Sequence, residues 1–125
     1  MRQPAARLLG SALESEFLQA IHPIRPEGVV VRPAPRWLRA LWGRETRAMT
    51  IGSTILIDPE ALALERLTSL LKHELVHVRQ WRQLGPVRFL SRYIRQYLVG
   101  RFGGAGHRVA YLAIDLEAEA RRLAR

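Results

Sequence analysis

Leu70-Leu71-Lys72-His73-Glu74-Leu75-Val76-His77-Val78-Arg79-Gln80-Trp81 is the stretch whose reading decides the rest. It contains a His-Glu-x-x-His motif, whose chemistry depends on its being helical. At about 3.6 residues per turn, positions i and i+4 share a face, so His73 and His77 present two imidazole nitrogens to a single metal ion. Glu74 is one residue round from His73 and sits beside such an ion, within reach of a proton on an activated water. This arrangement suits a zinc hydrolase.

The flanks support a helix over about 59–84. Asp58 is a good N-cap, Pro59 suits the first helical position and Glu60 places negative charge in the first turn. Gly85 fits the position just past the helix, and Pro86 blocks simple continuation. Leu64, Leu67, Leu71, Leu75 and Val78 form an apolar stripe expected in the core. Leu70, His73, His77 and Leu84 form a second, mixed stripe, and Glu65, Thr68, Lys72, Arg79 and Gln83 a polar third. Such a helix lies between a core and a cleft. The bland alternative is a pair of core histidines with Glu74 bonded to an arginine.

A chain of 125 residues fits one domain, 1–125. With no cysteine, disulfides and thiolate metal sites are excluded, so any metal is held by His, Asp or Glu. Glu14 and Glu16 interrupt the apolar run that a signal peptide needs, and no stretch approaches the roughly 20 apolar residues of a membrane-spanning helix. A cytoplasmic location is the expectation. The formal charge is +9 and the pI about 11.4, carried almost wholly by arginine, since Lys72 is the single lysine. Such a surface attracts phosphates and acidic partners, which admits weak electrostatic contact with nucleic acid or an anionic membrane.

Residues 1–46 read as a helical scaffold. A first helix is expected over 4–21, ended by Pro23 and Pro26. Val29-Val30-Val31 reads as a short strand closed by Pro33 and Pro35. Residues 36–43 read as a short amphipathic helix, with Trp37 and Leu41 on one face expected to be core. His22, before Pro23, is read as a surface or helix-capping histidine. Arg47 to Ile57 reads as a hairpin turning at Gly52-Ser53 and feeding into Asp58. An exposed strand edge there could hold an extended peptide.

After Pro86, Val87, Leu90, Ile94 and Tyr97 form an apolar line, with Arg88, Arg92 and Arg95 on the other side. The favoured reading packs that line on the core; the alternative lays a basic amphipathic helix on an anionic membrane. Gly100 to Gly106 reads as a mobile loop. A last helix is expected from about His107 to Arg125, with Val109, Leu112, Leu116, Ala120 and Leu123 as its core line. On it Glu117 projects among Ala110, Ala113, Ile114 and Ala124, where a carboxylate needs a partner such as a metal ion. Glu119 falls with Arg108, Asp115 and Arg122 and reads as a surface charge.

His73-Glu74-Leu75-Val76-His77, with Glu117 on a later helix in Asp115-Leu116-Glu117-Ala118-Glu119-Ala120, resembles the gluzincins, metallopeptidases whose third zinc ligand is a glutamate. The resemblance covers about 47–125 and gives no counterpart for 1–46. It implies zinc on His73, His77 and Glu117, with Glu74 as general base and acid. The chain departs from the pattern at Arg121, where many gluzincins carry an acidic residue that supports a histidine ligand.

The fold expected is therefore α+β: a mainly helical, zincin-like domain with a small β-sheet or hairpin preceding the metal-binding helix. The expected function is hydrolysis of a peptide or amide bond in a peptide or protein substrate, with Tyr111 and His107 as candidate transition-state stabilisers. The competing reading is a non-catalytic, metal-stabilised module whose arginine-rich face binds nucleic acid or a protein.

Overall fold

The computed structural model describes residues 2–42 and 46–124. Met1, Gly43 and Arg125, which ended expected segments, lie outside the described residues. The protein is a mainly helical α+β fold with one four-stranded mixed sheet. In chain order the elements are β1 (Gln3–Pro4), α1 (Ala5–Leu9), α2 (Ser15–Ala20), β2 (Val30–Pro33), α3 (Arg36–Leu41), β3 (Ala48–Ile51), β4 (Thr54–Ile57), α4 (Leu67–Phe102), α5 (His107–Leu112) and α6 (Asp115–Leu123). Short 3-10 turns join several of them.

The sheet order is β1-β2-β4-β3. The hairpin β3–β4 forms as expected, turning at Gly52 with φ of 62°, a conformation glycine adopts without steric cost. The crossover between the parallel strands β2 and β4 leaves β3 at the sheet edge. Val31, Ile55 and Thr50 stand in one register row, and all three are buried. Since strand side chains alternate between faces, this row points one way, onto the first half of α4. Leu71, Leu75, Val76 and Val78 of α4 meet it with Ile57, Ile21 and Phe17, and together they make the main core. Each such side chain, fully buried, contributes roughly 1.5–3 kcal/mol.

Several expected boundaries are corrected. The helix expected over 4–21 is two short helices, because Gly10 takes φ of 50° and turns the chain between them. Asp58 does cap, its Oδ1 accepting from Glu60 N at 3.0 Å, but what it caps is a 3-10 turn at Pro59–Ala63. The metal-motif helix starts only at Leu67, so Leu64 is left exposed and only the lower part of its stripe is core. Trp37 and Leu41 are exposed, whereas Trp42 is buried.

Helix α4 breaks at Gly85, with φ of 79° and ψ of 163°, and resumes at Pro86 without a loop. Its second half, 86–102, is turned opposite to expectation. Phe89 and Tyr93 face the protein, with Trp81, Phe89 and Tyr93 stacked at ring separations of 4.6 and 5.8 Å. The aliphatic line Val87, Leu90, Ile94 faces outward. Aromatic packing wins because the stacked rings close a second core cluster with Ile114 and Leu116. Gly100 belongs to this helix and not to a loop: a Cβ there would lie 3.0 Å from Ala110 Cβ, so the absent side chain lets α5 cross closely. The last helix is also divided, at Ala113 and the extended, buried Ile114. The break rephases it, exposing Val109 and Leu112 while burying Leu116 and Ala120.

Candidate metal centre

Three elements bring the site together: the first half of α4, its second half beyond Gly85, and α6. The i, i+4 spacing on α4 aligns His73 and His77, whose rings meet edge to face at 4.9 Å. Helix α6 sets Glu117 opposite them. His73 Nε2 lies 2.7 Å and His77 Nε2 3.1 Å from the same oxygen, Glu117 Oε1. Tyr93 donates its hydroxyl to the other oxygen, Glu117 Oε2, at 2.6 Å. Glu117 is 4 % exposed. Burial disfavours its charged form, but the bonds from His73, His77 and Tyr93 outweigh that and hold the carboxyl well below the usual range.

Glu74 lies behind this group, also buried, with Thr50 of the edge strand donating to its Oε1 at 3.0 Å. Burial pushes its carboxyl up, opposed by the two histidines and assisted by Glu117. One Glu74 oxygen is thus held by Thr50. Ligand atoms of His73, Glu74 and His77 all lie within 4.8 Å of one another, a group that could hold a metal ion.

The support for His77 comes from a residue that sequence reasoning missed. Gln80 is 1 % exposed, and its Nε2 donates to Leu116 O at 2.9 Å and to Glu119 Oε1 at 2.9 Å. Those two acceptors fix the amide orientation, so Gln80 Oε1 faces His77 Nδ1 at 2.7 Å and accepts its proton. Glu119 also pairs with Arg79, and so is part of the site's support and not the surface charge expected. Arg121, at the position where an acidic residue was sought, instead donates to Leu112 O at 2.7 Å. The i, i+3 spacing of His77 and Gln80 on one helix face was a usable signal. Tyr93 and Thr50, distant in sequence, gave none.

The donor set fits a cation. With Nδ1 donating, His77 Nε2 faces a carboxylate oxygen that only accepts, so a positive charge is required between them. That charge is a proton or a metal ion. As a proton, it is held firmly: burial lowers the His77 pKa, but the Glu117 bond and the charges of Glu74 and Glu117 push it up to about 9. As a metal, it would be held by the two imidazole nitrogens and a carboxylate oxygen, a donor set that suits a zinc ion.

His73 and Glu74 open onto a cleft of about 340 Å³, bounded by Arg47 and Ala48 at the edge strand, Leu70, and His107 and Tyr111 of α5. The two expected stabilisers therefore do line the cleft. His107 Nδ1 and the Tyr97 hydroxyl are 2.8 Å apart, and burial together with the Glu117 charge raises the Tyr111 pKa, keeping its phenol a donor. His22 is exposed and outside the site.

Fold and site thus define a small helical α+β domain with a histidine–glutamate group able to hold a metal ion. The eCIS core domain model matches residues 13–85, more than half of the chain, and the chain belongs to that family. The match takes in β2, the hairpin and the His-Glu-x-x-His half of α4, and reaches back into 1–46, for which the motif resemblance offered no counterpart. No zincin family model matches. No curated protein and no solved structure matches the chain.

Proposed function

We propose that the protein is a zinc-dependent hydrolase of gluzincin type that cleaves a peptide or amide bond, with zinc held by His73, His77 and Glu117. The observation that carries the reading is the meeting of two imidazole Nε2 atoms on one oxygen of Glu117, with Glu74 buried beside them at a cleft next to an edge strand. Between the two carboxylates, Glu117 is the better ligand because its Oε1 touches both histidines, whereas Glu74 Oε1 is engaged by Thr50. When bound, zinc supplies Lewis acidity, polarising a carbonyl oxygen and making a water acidic near neutral pH.

The chain's own residues do the rest. Glu74 takes the proton of the attacking water at Oε2, and burial, by raising its pKa, lets it hold that proton before passing it to the leaving nitrogen. Gln80 keeps His77 in the tautomer whose Nε2 lone pair faces inward. Tyr111, protonated throughout the neutral range, offers its O–H to the developing oxyanion, with His107 beside it. β3 offers its free edge to an extended peptide, whose main chain pairs with it across the cleft. Membership of an eCIS core domain family supports a partner within a larger protein assembly.

The test is metal analysis and zinc titration of the purified protein, followed by turnover on a peptide library. One zinc per chain and cleavage that falls by at least about 100-fold in Glu74→Gln, with zinc retained, are expected. Full activity in Glu74→Gln, or zinc-loaded protein that cleaves nothing, would overturn the reading.

A further inference from the structure

The second half of α4 carries a surface that the hydrolytic site does not use. At about 100° per residue, Phe89, Tyr93, Gln96 and Gly100 share the arc that faces the protein. Phe89 is buried, Tyr93 bonds Glu117, Gln96 accepts from Asp115 N, and Gly100 lies against Ala110. The opposite arc carries Val87, Leu90, Ile94, Leu98 and Phe102, exposed to 76, 44, 51, 42 and 86 %. Five large apolar side chains along one helix form a convex ridge in water. Arg88 and Arg95 follow one another along its border, and Arg101 projects near the Phe102 end at an angle between those of Leu90 and Ile94. All three are exposed and make no ion pair among the described residues.

The charge bordering this ridge is positive, from Arg88, Arg95 and Arg101, while Arg92 on the side toward the protein is paired with Asp115. From Leu75 to Ile114 the chain contains no Asp or Glu and seven arginines. The occupant must therefore meet aliphatic side chains and guanidinium groups together. Nucleic acid would satisfy the arginines but leave the ridge in water. A second copy would set the same arginines against one another. A phospholipid surface meets both sets, the acyl boundary taking the ridge while headgroup phosphates accept bidentate bonds from the arginines. A convex ridge also suits a deformable surface. No helix among the described residues is long and apolar enough to cross a membrane, so the contact lies in the interface plane.

We propose that the outward face of residues 86–102 docks the protein on an anionic phospholipid surface, with the helix axis parallel to it. The experiment is co-sedimentation of the full chain with vesicles of phosphatidylcholine plus phosphatidylglycerol, against phosphatidylcholine alone, at low and high salt. Partition into the anionic vesicles is expected, weakened by salt and lowered about 30-fold in an Arg88→Gln/Arg95→Gln variant, the worth of two arginines near such a surface. Ile94→Asn/Leu98→Asn, which leaves the net charge unchanged, should abolish it while leaving the melting temperature unchanged, since both side chains are exposed. A Phe102→Trp variant gives an independent reading, its emission shifting to the blue only on anionic vesicles. Protein that stays in the supernatant with both vesicle types would overturn the proposal and favour an acidic protein groove instead. Binding as tight in Ile94→Asn/Leu98→Asn as in the parent would also overturn it, by showing that charge alone is responsible.

Discussion

Replacing Gln80 by leucine keeps the volume of a fully buried side chain while removing three polar contacts: the acceptor for His77 Nδ1, and the donors to Leu116 O and Glu119 Oε1. Glu119 retains Arg79 and the Leu116 carbonyl keeps its place in the α6 helical ladder, so one group, the His77 Nδ1–H, is left without the partner that Gln80 supplied. At roughly 1–3 kcal/mol for a buried group left unsatisfied, the fold should lose about 1–3 kcal/mol. The proposed zinc site should lose more specifically: with Nδ1 unsupported, His77 is free to rotate and to change tautomer. A loss of about 10–100-fold in zinc affinity is expected, the usual effect of removing a ligand's hydrogen-bond partner. Zinc competition against a chromophoric chelator measures the affinity, and thermal melts with and without chelator measure the fold. Gln80→Glu is the informative partner variant, because it keeps an acceptor for His77 but sets two carboxylates together at Glu119; it should bind zinc better than Gln80→Leu. An unchanged zinc affinity in a folded Gln80→Leu protein would refute the reasoning, since Gln80 would then be packing and nothing else.

Three further outcomes follow from the same geometry. Thr50→Val removes a bond that favours the charged form of Glu74, so the Glu74 pKa should rise and the acid limb of the pH–rate profile should move to higher pH. Gly100→Val forces a side chain against Ala110 and should cost about 1–3 kcal/mol in a melt, with zinc affinity little altered. In chelator, the raised His77 pKa makes its contribution to stability complete below about 6.5 and lost as pH rises through about 9, so the melting temperature should fall across that window. Zinc-loaded protein should behave oppositely on the acid side, losing metal as its ligands are protonated; identical pH profiles with and without zinc would contradict a metal on His77.

Legibility in the sequence tracked the range of the forces involved. The hairpin, the Asp58 cap and the Leu71–Leu75–Val78 stripe depend on neighbours a few residues away, and all three are present. That His73 and His77 share a face was legible from helical spacing, and that Glu117 needs a partner from its apolar surroundings; their meeting on one oxygen was an implication of the gluzincin resemblance. What failed was phase. The apolar line Val87, Leu90, Ile94 satisfies the pattern of a core-facing helix, yet ring stacking of Phe89 on Trp81 and the Tyr93–Glu117 bond turn the helix the other way. Those partners come from α6 and from beyond the Gly85 break, so no local window contains them. The division at Ala113 and Ile114 was invisible for a similar reason: residues of good helical propensity are overridden where Ile114 is drawn into the second cluster.

The loopless joint at Gly85 makes chain length itself a site parameter. His73, Glu74, His77 and Gln80 ride on one side of it and Tyr93 on the other, with a single pair of backbone dihedrals setting the angle between them. One residue inserted at the joint would carry Tyr93 forward by about 1.5 Å and round by about 100°, taking its hydroxyl away from Glu117 Oε2. The same insertion among the glycines of 103–106 would be absorbed by the connection. The molecule therefore tolerates slack next to α5 but none beneath the histidine–glutamate group, and the segment between His77 and Tyr93 acts as a measured strut.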